Sequence, residues 1–82
     1  MDSLGMRMAL GDIGISILEA IKDVPMCIQD LSFLTGIPEE CINPRISFLE
    51  MMGFTTYRDD ILELTPNGKS KLATLSMSQH GW

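Results

Sequence analysis

The sequence predicts a mostly helical α+β domain, in which a three-helix core is followed by a short β-hairpin and a C-terminal helix. Three observations predict it: two helical patterns that meet at a glycine, two strand-like runs separated by a turn, and a proline that opens a last helix. With 82 residues, the chain is long enough for one small domain. A hydrophobic fraction of 45% and a charged fraction of 21% are typical of a folded protein.

Residues 1–11 are predicted to form an N-terminal arm. Apolar residues surround two glycines there but follow neither the helical nor the strand period: Leu4, Met6, Met8, Ala9 and Leu10. The segment is either a short helix or arm that packs on a partner subunit, or a loosely ordered leader. We favour the packed arm because of its many apolar side chains. Residues 12–75 then form the domain, and residues 76–82 form a tail.

The first core helix is predicted from Asp12 to Lys22. Its apolar residues lie on one face: Ile13, Ile17, Leu18 and Ile21. Asp12 is a suitable N-cap, and Val24-Pro25 ends the segment.

The next two helices meet in a short turn, which is the signature of a helix-turn-helix motif. After an extended connector at residues 25–27, the second helix covers about Ile28 to Thr35, and Gly36 supplies a left-handed turn. The third helix carries apolar residues at spacings of four, three and four: Ile42, Ile46, Leu49 and Gly53. Its opposite side is therefore free to meet a partner.

Pro44 leaves the start of the third helix open. Asn43 could cap a helix that begins at Pro44, or the helix could start near Glu39 and bend at the proline. We favour the second alternative because Ile42 is in phase with the apolar stripe beyond Pro44.

A short hairpin and a last helix complete the domain. Phe54–Tyr57 and Ile61–Leu64 are strand-like, with a turn at residues 58–60 between them. Thr65 is the predicted N-cap of the last helix and Pro66 its first residue, with Leu72 and Leu75 on its apolar side.

The joint spacing of these residues resembles the winged helix-turn-helix family, and in particular the small prokaryotic regulators of the MarR and ArsR kind. The pattern covers about Ile13 to Leu75, and its positions are Leu31, Gly36-Ile37, Ile42, Ile46, Leu49, Gly53-Phe54, Leu64-Thr65 and Gly68. The resemblance implies that the third helix enters the major groove of DNA and that the hairpin, the wing, follows the backbone or the minor groove. The resemblance also implies which residues would face DNA: Glu39, Glu40, Asn43, Arg45 and Ser47 on the helix, and Arg58 on the wing.

The charge of the chain opposes simple nucleic-acid binding. The net charge is −5, and the third helix opens with two glutamates. Arg45 and Arg58 offer two phosphate contacts per subunit, each contributing about −0.9 to the salt slope of binding. We therefore expect a homodimeric DNA-binding transcriptional regulator, which doubles these contacts and dimerises through the N-terminal arm and the C-terminal helix.

The alternative is an acidic winged helix that binds another protein and ignores DNA. The acidic surface, the proline in the third helix and the apolar chain ends favour it, with Trp82 as a candidate anchor beside Met6, Met8, Leu10 and Met77.

Other classes of function have little support in the sequence. No nucleophile motif or Gly-rich phosphate loop is visible, so we expect no enzyme, and we expect no cofactor and no metal. Cys27 and Cys41 are interpreted as small apolar residues, with a redox switch or a mutual disulfide as the alternative. No apolar run is long enough to span a bilayer and no secretory signal is visible, so we expect a cytoplasmic protein that does not bind membranes.

Overall fold

The computed structural model describes the backbone of residues 3–80 and the side chains of residues 10–75. Within this part of the chain the predicted α+β, mostly helical architecture is confirmed. The elements in chain order are α1 (Ser3–Ala20), β1 (Met26–Cys27), α2 (Ile28–Thr35), α3 (Glu39–Met51), β2 (Thr55–Arg58), β3 (Ile61–Leu64) and α4 (Pro66–His80).

The first helix begins earlier than predicted and is interrupted at Gly11. This glycine has φ 73° and ψ 170°, which separates helical residues 3–10 from the predicted core helix. Leu10, in the predicted arm, is buried in the core of its own chain. At the other end, α1 stops at Ala20 rather than Lys22, because Lys22 N–H bonds to Glu19 O at 3.5 Å, one residue short of the α-helical spacing.

The turn between α2 and α3 is held by side chains as well as by glycine. Gly36 adopts φ 75° and donates its N–H to Ser32 O at 2.9 Å. Ser32 Oγ donates to Ile37 O at 2.6 Å, and Thr35 Oγ1 accepts from Ile37 N–H at 3.2 Å. The bond to Ser32 O satisfies a carbonyl at the end of α2, and the other two pair the backbone of Ile37 in the turn.

The helix that contains Pro44 starts at Glu39, as the favoured alternative predicted. Ile42 N–H and Cys41 N–H both bond to Pro38 O, so the helix is established before the proline. Pro44 has no N–H for the carbonyl of Glu40, and Glu40 is exposed, so solvent can bond that carbonyl instead.

The connector before α2 belongs to the sheet. β1 pairs with β3, and β3 pairs with β2, which makes a three-stranded antiparallel sheet where the sequence predicted only a hairpin. The β2–β3 turn consists of Asp59 and Asp60, with φ values of 51° and 65°. A two-residue turn with positive φ at both positions matches the strand twist. Arg58 therefore ends a strand instead of lying in the turn.

The core is formed mostly by the residues that the apolar patterns mark, but Ile13 is only partly buried, whereas Leu10 and Ile15 are buried. Its members include Ile17 and Leu18 from α1, Ile21 just after α1, Ile42, Ile46 and Leu49 from α3, and Leu72 and Leu75 from α4. Thr65 joins the last helix to the rest: its Oγ1 accepts from Gly68 N–H at 2.9 Å and donates to Gly53 O at 2.6 Å. A Cβ on Gly68 would overlap the carbonyl of Phe54, so only glycine allows this close approach.

The ends of the chain differ from the prediction or lie outside the description. The backbone of α4 continues to His80, past the predicted start of a tail at residue 76. Trp82 lies outside the described residues, and the side chains of Met6, Met8 and Met77 lie outside the range over which side chains are described.

Candidate nucleic-acid interface

The outward side of α3 carries most of the predicted site residues. Ile42, Ile46 and Leu49 are buried, and they turn the other side of the helix to solvent. Exposed residues on that side include Glu39, Glu40, Asn43 and Ser47. The structure therefore leaves four of the six predicted residues accessible along one helix.

Arg45 is half-buried and lies back along its own helix. Its Nη1 donates to Cys41 O at 2.9 Å, one turn towards the start of α3. This bond uses one of the five N–H donors of the guanidinium and holds the side chain back along the helix. The neighbouring acid Glu50 is engaged with the hairpin, because its Oε2 accepts from Tyr57 N–H at 3.2 Å.

A cleft of about 250 Å³ separates the start of α3 from the wing. Its polar lining residues are Gln29 at the start of α2, Glu39 and Asn43 on α3, Tyr57 on β2 and Asp60 in the β2–β3 turn, and Cys27 and Ile28 complete the lining. The cleft brings Glu39 and Asn43 together with the wing, whereas Glu40, Arg45, Ser47 and Arg58 are not part of its lining.

Tyr57 is a hydrogen-bond donor in this cleft at neutral pH. Partial burial raises the pKa of its phenol above the ordinary value of 10.0, and the Asp60 carboxylate raises it further through its charge and by accepting a hydrogen bond. A neutral phenol beside two amides gives the cleft donors, while the two carboxylates that line it are acceptors.

Cys27 links the cleft to the start of α2. Its Sγ accepts from Asp30 N–H at 3.5 Å and so caps the helix. Cys27 and Cys41 are both half-buried free thiols, so the alternative of a disulfide between them is not what the structure contains.

The wing is short and carries more acid than base. Arg58, Asp59 and Asp60 are all exposed at its tip. With Glu39 and Glu40 on α3, the described groups around the cleft include four exposed carboxylates and one exposed cation. The face can donate from amides and hydroxyls, but it repels a phosphate backbone at long range.

Sequence reasoning missed Gln29, Tyr57 and Cys27 as members of this site. Gln29 and Cys27 belong to α2 and β1, and only the pairing of β1 with β3 places the start of α2 beside the wing. The exposed polar position of Gln29 in the first turn of a helix was the available signal, and it is weak by itself.

No metal site is evident in the described part of the chain, where no group of three or more His, Cys, Asp or Glu is placed to hold an ion. None of the helices within those limits combines the length and apolar character needed to cross a membrane. Comparisons with protein-family models, curated proteins and solved structures give no significant match.

Proposed function

We propose that this chain is a winged helix-turn-helix protein that binds double-stranded DNA as a homodimer and regulates transcription. One observation carries the proposal: α3 buries a complete apolar stripe, while its polar side faces the wing across an open cleft. A helix held in this way can enter a major groove while a neighbouring hairpin contacts the backbone.

Base contacts are assigned to the amides, the hydroxyl and the carboxylates of α2 and α3. The amide of Asn43 can pair with the N6 and N7 atoms of adenine, and Ser47 can donate to or accept from either base of a pair. Glu39 and Glu40 can accept from the amino group of cytosine. Gln29, at the other side of the cleft, offers a second amide.

Backbone contacts are assigned to the two arginines. Arg58 is exposed at the end of β2 and needs no rearrangement. Extending the Arg45 side chain away from Cys41 O would cost about 0.5–1.5 kcal/mol for a hydrogen bond of this kind. Contact with a phosphate would replace that bond with a stronger, charge-assisted one.

The acidic face sets the character of the binding. Four phosphate contacts in a dimer correspond to a salt slope of roughly −3.6, which is shallow for a DNA-binding protein. Repulsion by the carboxylates weakens binding to every sequence, so affinity must come from base contacts. We therefore expect low non-specific affinity and high discrimination between sequences.

Fluorescence anisotropy with labelled genomic fragments at low salt tests the proposal. We expect saturable binding below about 10 µM to a subset of fragments and a slope near the value above. Arg58→Ala should weaken all fragments alike and make the slope shallower, whereas Asn43→Ala should weaken the preferred fragment most. Lys22→Ala is the matched control, because it removes an exposed cation that follows α1 and is not among the residues that line the cleft. Absence of saturable binding would reject the proposal.

Light scattering after size exclusion tests the homodimer separately. The N-terminal arm and α4 are the proposed contact surfaces. A mass of one chain at the concentrations that bind DNA would remove the dimer from the proposal.

A second candidate is an acidic protein-interaction module built on the same fold. It is favoured by the four exposed carboxylates around the cleft and by the retracted Arg45. A defined partner that binds stoichiometrically, together with no affinity for any fragment, would decide for this candidate.

A further inference from the structure

The end of α2 exposes two large apolar side chains. Phe33 is 91% exposed and Leu34 63% exposed, although Ile28 and Leu31 of the same helix are buried in the core. A single exposed apolar residue is ordinary, but two adjacent ones that include a phenylalanine form a continuous apolar patch on a helix of only eight residues. The fold itself does not require either side chain.

One carboxylate shares this patch. Asp30 is exposed and lies three residues before Phe33 and four before Leu34, which places all three on the same side of the helix. We name Asp30, Phe33 and Leu34 the α2 outer surface.

The chain segment that contains this surface carries charges of one sign. Residues 23–44, which include all of α2 and both of its connections, contain four acidic residues and no Lys, Arg or His. Glu39 and Glu40 begin the next helix directly after the turn, and both are exposed. An apolar patch set in uniformly acidic chain is complementary to an apolar segment that carries positive charge.

We propose that the α2 outer surface binds a basic amphipathic helical segment of a partner protein. Phe33 and Leu34 would contact the apolar side of that segment, and Asp30 would pair with its Lys or Arg residues. A second copy of the chain fits less well, because a two-fold contact through this surface would bring the two Asp30 carboxylates together. An anionic membrane would be repelled by the same charges.

This surface is separate from the proposed DNA interface. The cleft uses the first residues of α2, including Gln29, whereas Phe33 and Leu34 lie at the other end of the helix. The partner could therefore bind while α3 and the wing are engaged, and the proposal does not depend on DNA binding.

The experiment uses the full chain and two fluorescein-labelled peptides of about 20 residues, long enough to form a helix. Both carry leucines at heptad spacing; the polar positions are lysine in one and glutamate in the other. Anisotropy titrations compare the wild type with Phe33→Ser/Leu34→Ser, with Asp30→Lys and with Met51→Ser. Met51 is the matched control, because it is 76% exposed but lies at the end of α3. Circular dichroism confirms that each variant is folded.

We expect the lysine peptide to bind the wild type saturably and the glutamate peptide not to bind. Phe33→Ser/Leu34→Ser should weaken binding about 10-fold or more, and Asp30→Lys several-fold, while Met51→Ser should stay within about twofold. If the wild type and the Phe33→Ser/Leu34→Ser variant bind the lysine peptide with equal affinity, the binding is general charge attraction and the proposal is overturned.

Two further arms separate the other occupants. The first arm measures the oligomeric state by sedimentation. If the wild type is a dimer and Phe33→Ser/Leu34→Ser is a monomer, the surface binds a second copy of the chain and the proposal is overturned. The second arm tests binding to phosphatidylglycerol vesicles. If the wild type binds them and Phe33→Ser/Leu34→Ser does not, the surface is a membrane-binding site and the proposal is overturned. Loss of DNA binding in Asn43→Ala or Arg58→Ala leaves this result unchanged, so the two proposals fail separately.

Discussion

The two helices of the central motif, α2 and α3, bury similar side chains but expose very different ones. α2 turns Ile28 and Leu31 inwards, and α3 turns in its stripe at Ile42, Ile46 and Leu49. Outwards, α2 presents Phe33 and Leu34, whereas α3 presents carboxylates, an amide and a hydroxyl. The buried sides are alike because both helices pack into the same hydrophobic core. The exposed sides do not have to fill the core, and their difference is the basis of the two separate binding proposals.

The largest expected effect compares a buried residue of α3 with an exposed one of α2. Leu49→Ala removes a fully buried side chain and should lower the free energy of unfolding by about 2–5 kcal/mol. Phe33→Ala should change it by less than about 0.5 kcal/mol, although it removes more atoms. Urea denaturation followed by circular dichroism measures both. A cost for Phe33→Ala close to that of Leu49→Ala would mean that Phe33 is part of the core.

A smaller effect is expected at the turn that joins the two helices. Gly36 has φ 75° and has no neighbouring atom where a Cβ would lie, so Gly36→Ala meets backbone strain alone. We expect a loss of about 1–2 kcal/mol. Gly36→Asn is the matched control, and it should cost less because asparagine adopts this conformation more readily. Equal costs for the two variants would show that the left-handed backbone conformation is not the source of the loss.

Neutralising the acids of α3 tests whether its exposed side, unlike that of α2, contacts DNA. Glu39→Gln/Glu40→Gln removes two negative charges beside the proposed DNA contacts and should raise DNA affinity about threefold to tenfold at low salt. The gain should be similar for preferred and other fragments, so discrimination between them should stay the same. Asp12→Asn/Glu19→Gln is the control, because it removes the same charge from exposed positions of α1. A similar gain in the control would assign the effect to net charge alone.

The smallest effect concerns the phenol beside α3. The pKa of Tyr57 is higher in the folded chain than the ordinary value of 10.0, so its contribution to stability is complete below pH 10 and declines as pH rises through the raised value. Absorbance of the ionised phenol near 295 nm during alkaline titration follows the group. Asp60→Asn should lower the apparent pKa, because it removes the negative charge that faces the hydroxyl. An unchanged titration in Asp60→Asn would leave partial burial as the cause.

Most of the helical framework was predictable because it depends on local periodicity. The stripe from Ile42 to Leu49, the glycine at position 36 and the Thr65-Pro66 start all encode their structure within a few residues. The helix through Pro44 was also predictable, since Ile42 keeps its phase across the proline. The candidate site was only partly predictable, because its members come from four separate elements.

Sequence by itself therefore determined which sides of the helices are buried and where the turns fall, since spacing and backbone preference are local properties. The folded chain alone established that Met26 and Cys27 pair with β3, that Gln29 and Tyr57 face Asn43, and that Arg45 bonds to Cys41 O. It also established that Phe33, which looks like a core residue in the sequence, faces solvent. These features depend on contacts between segments that are distant in the sequence. The core of a small domain has room for only some of the apolar side chains, and local patterns do not show which of them are buried.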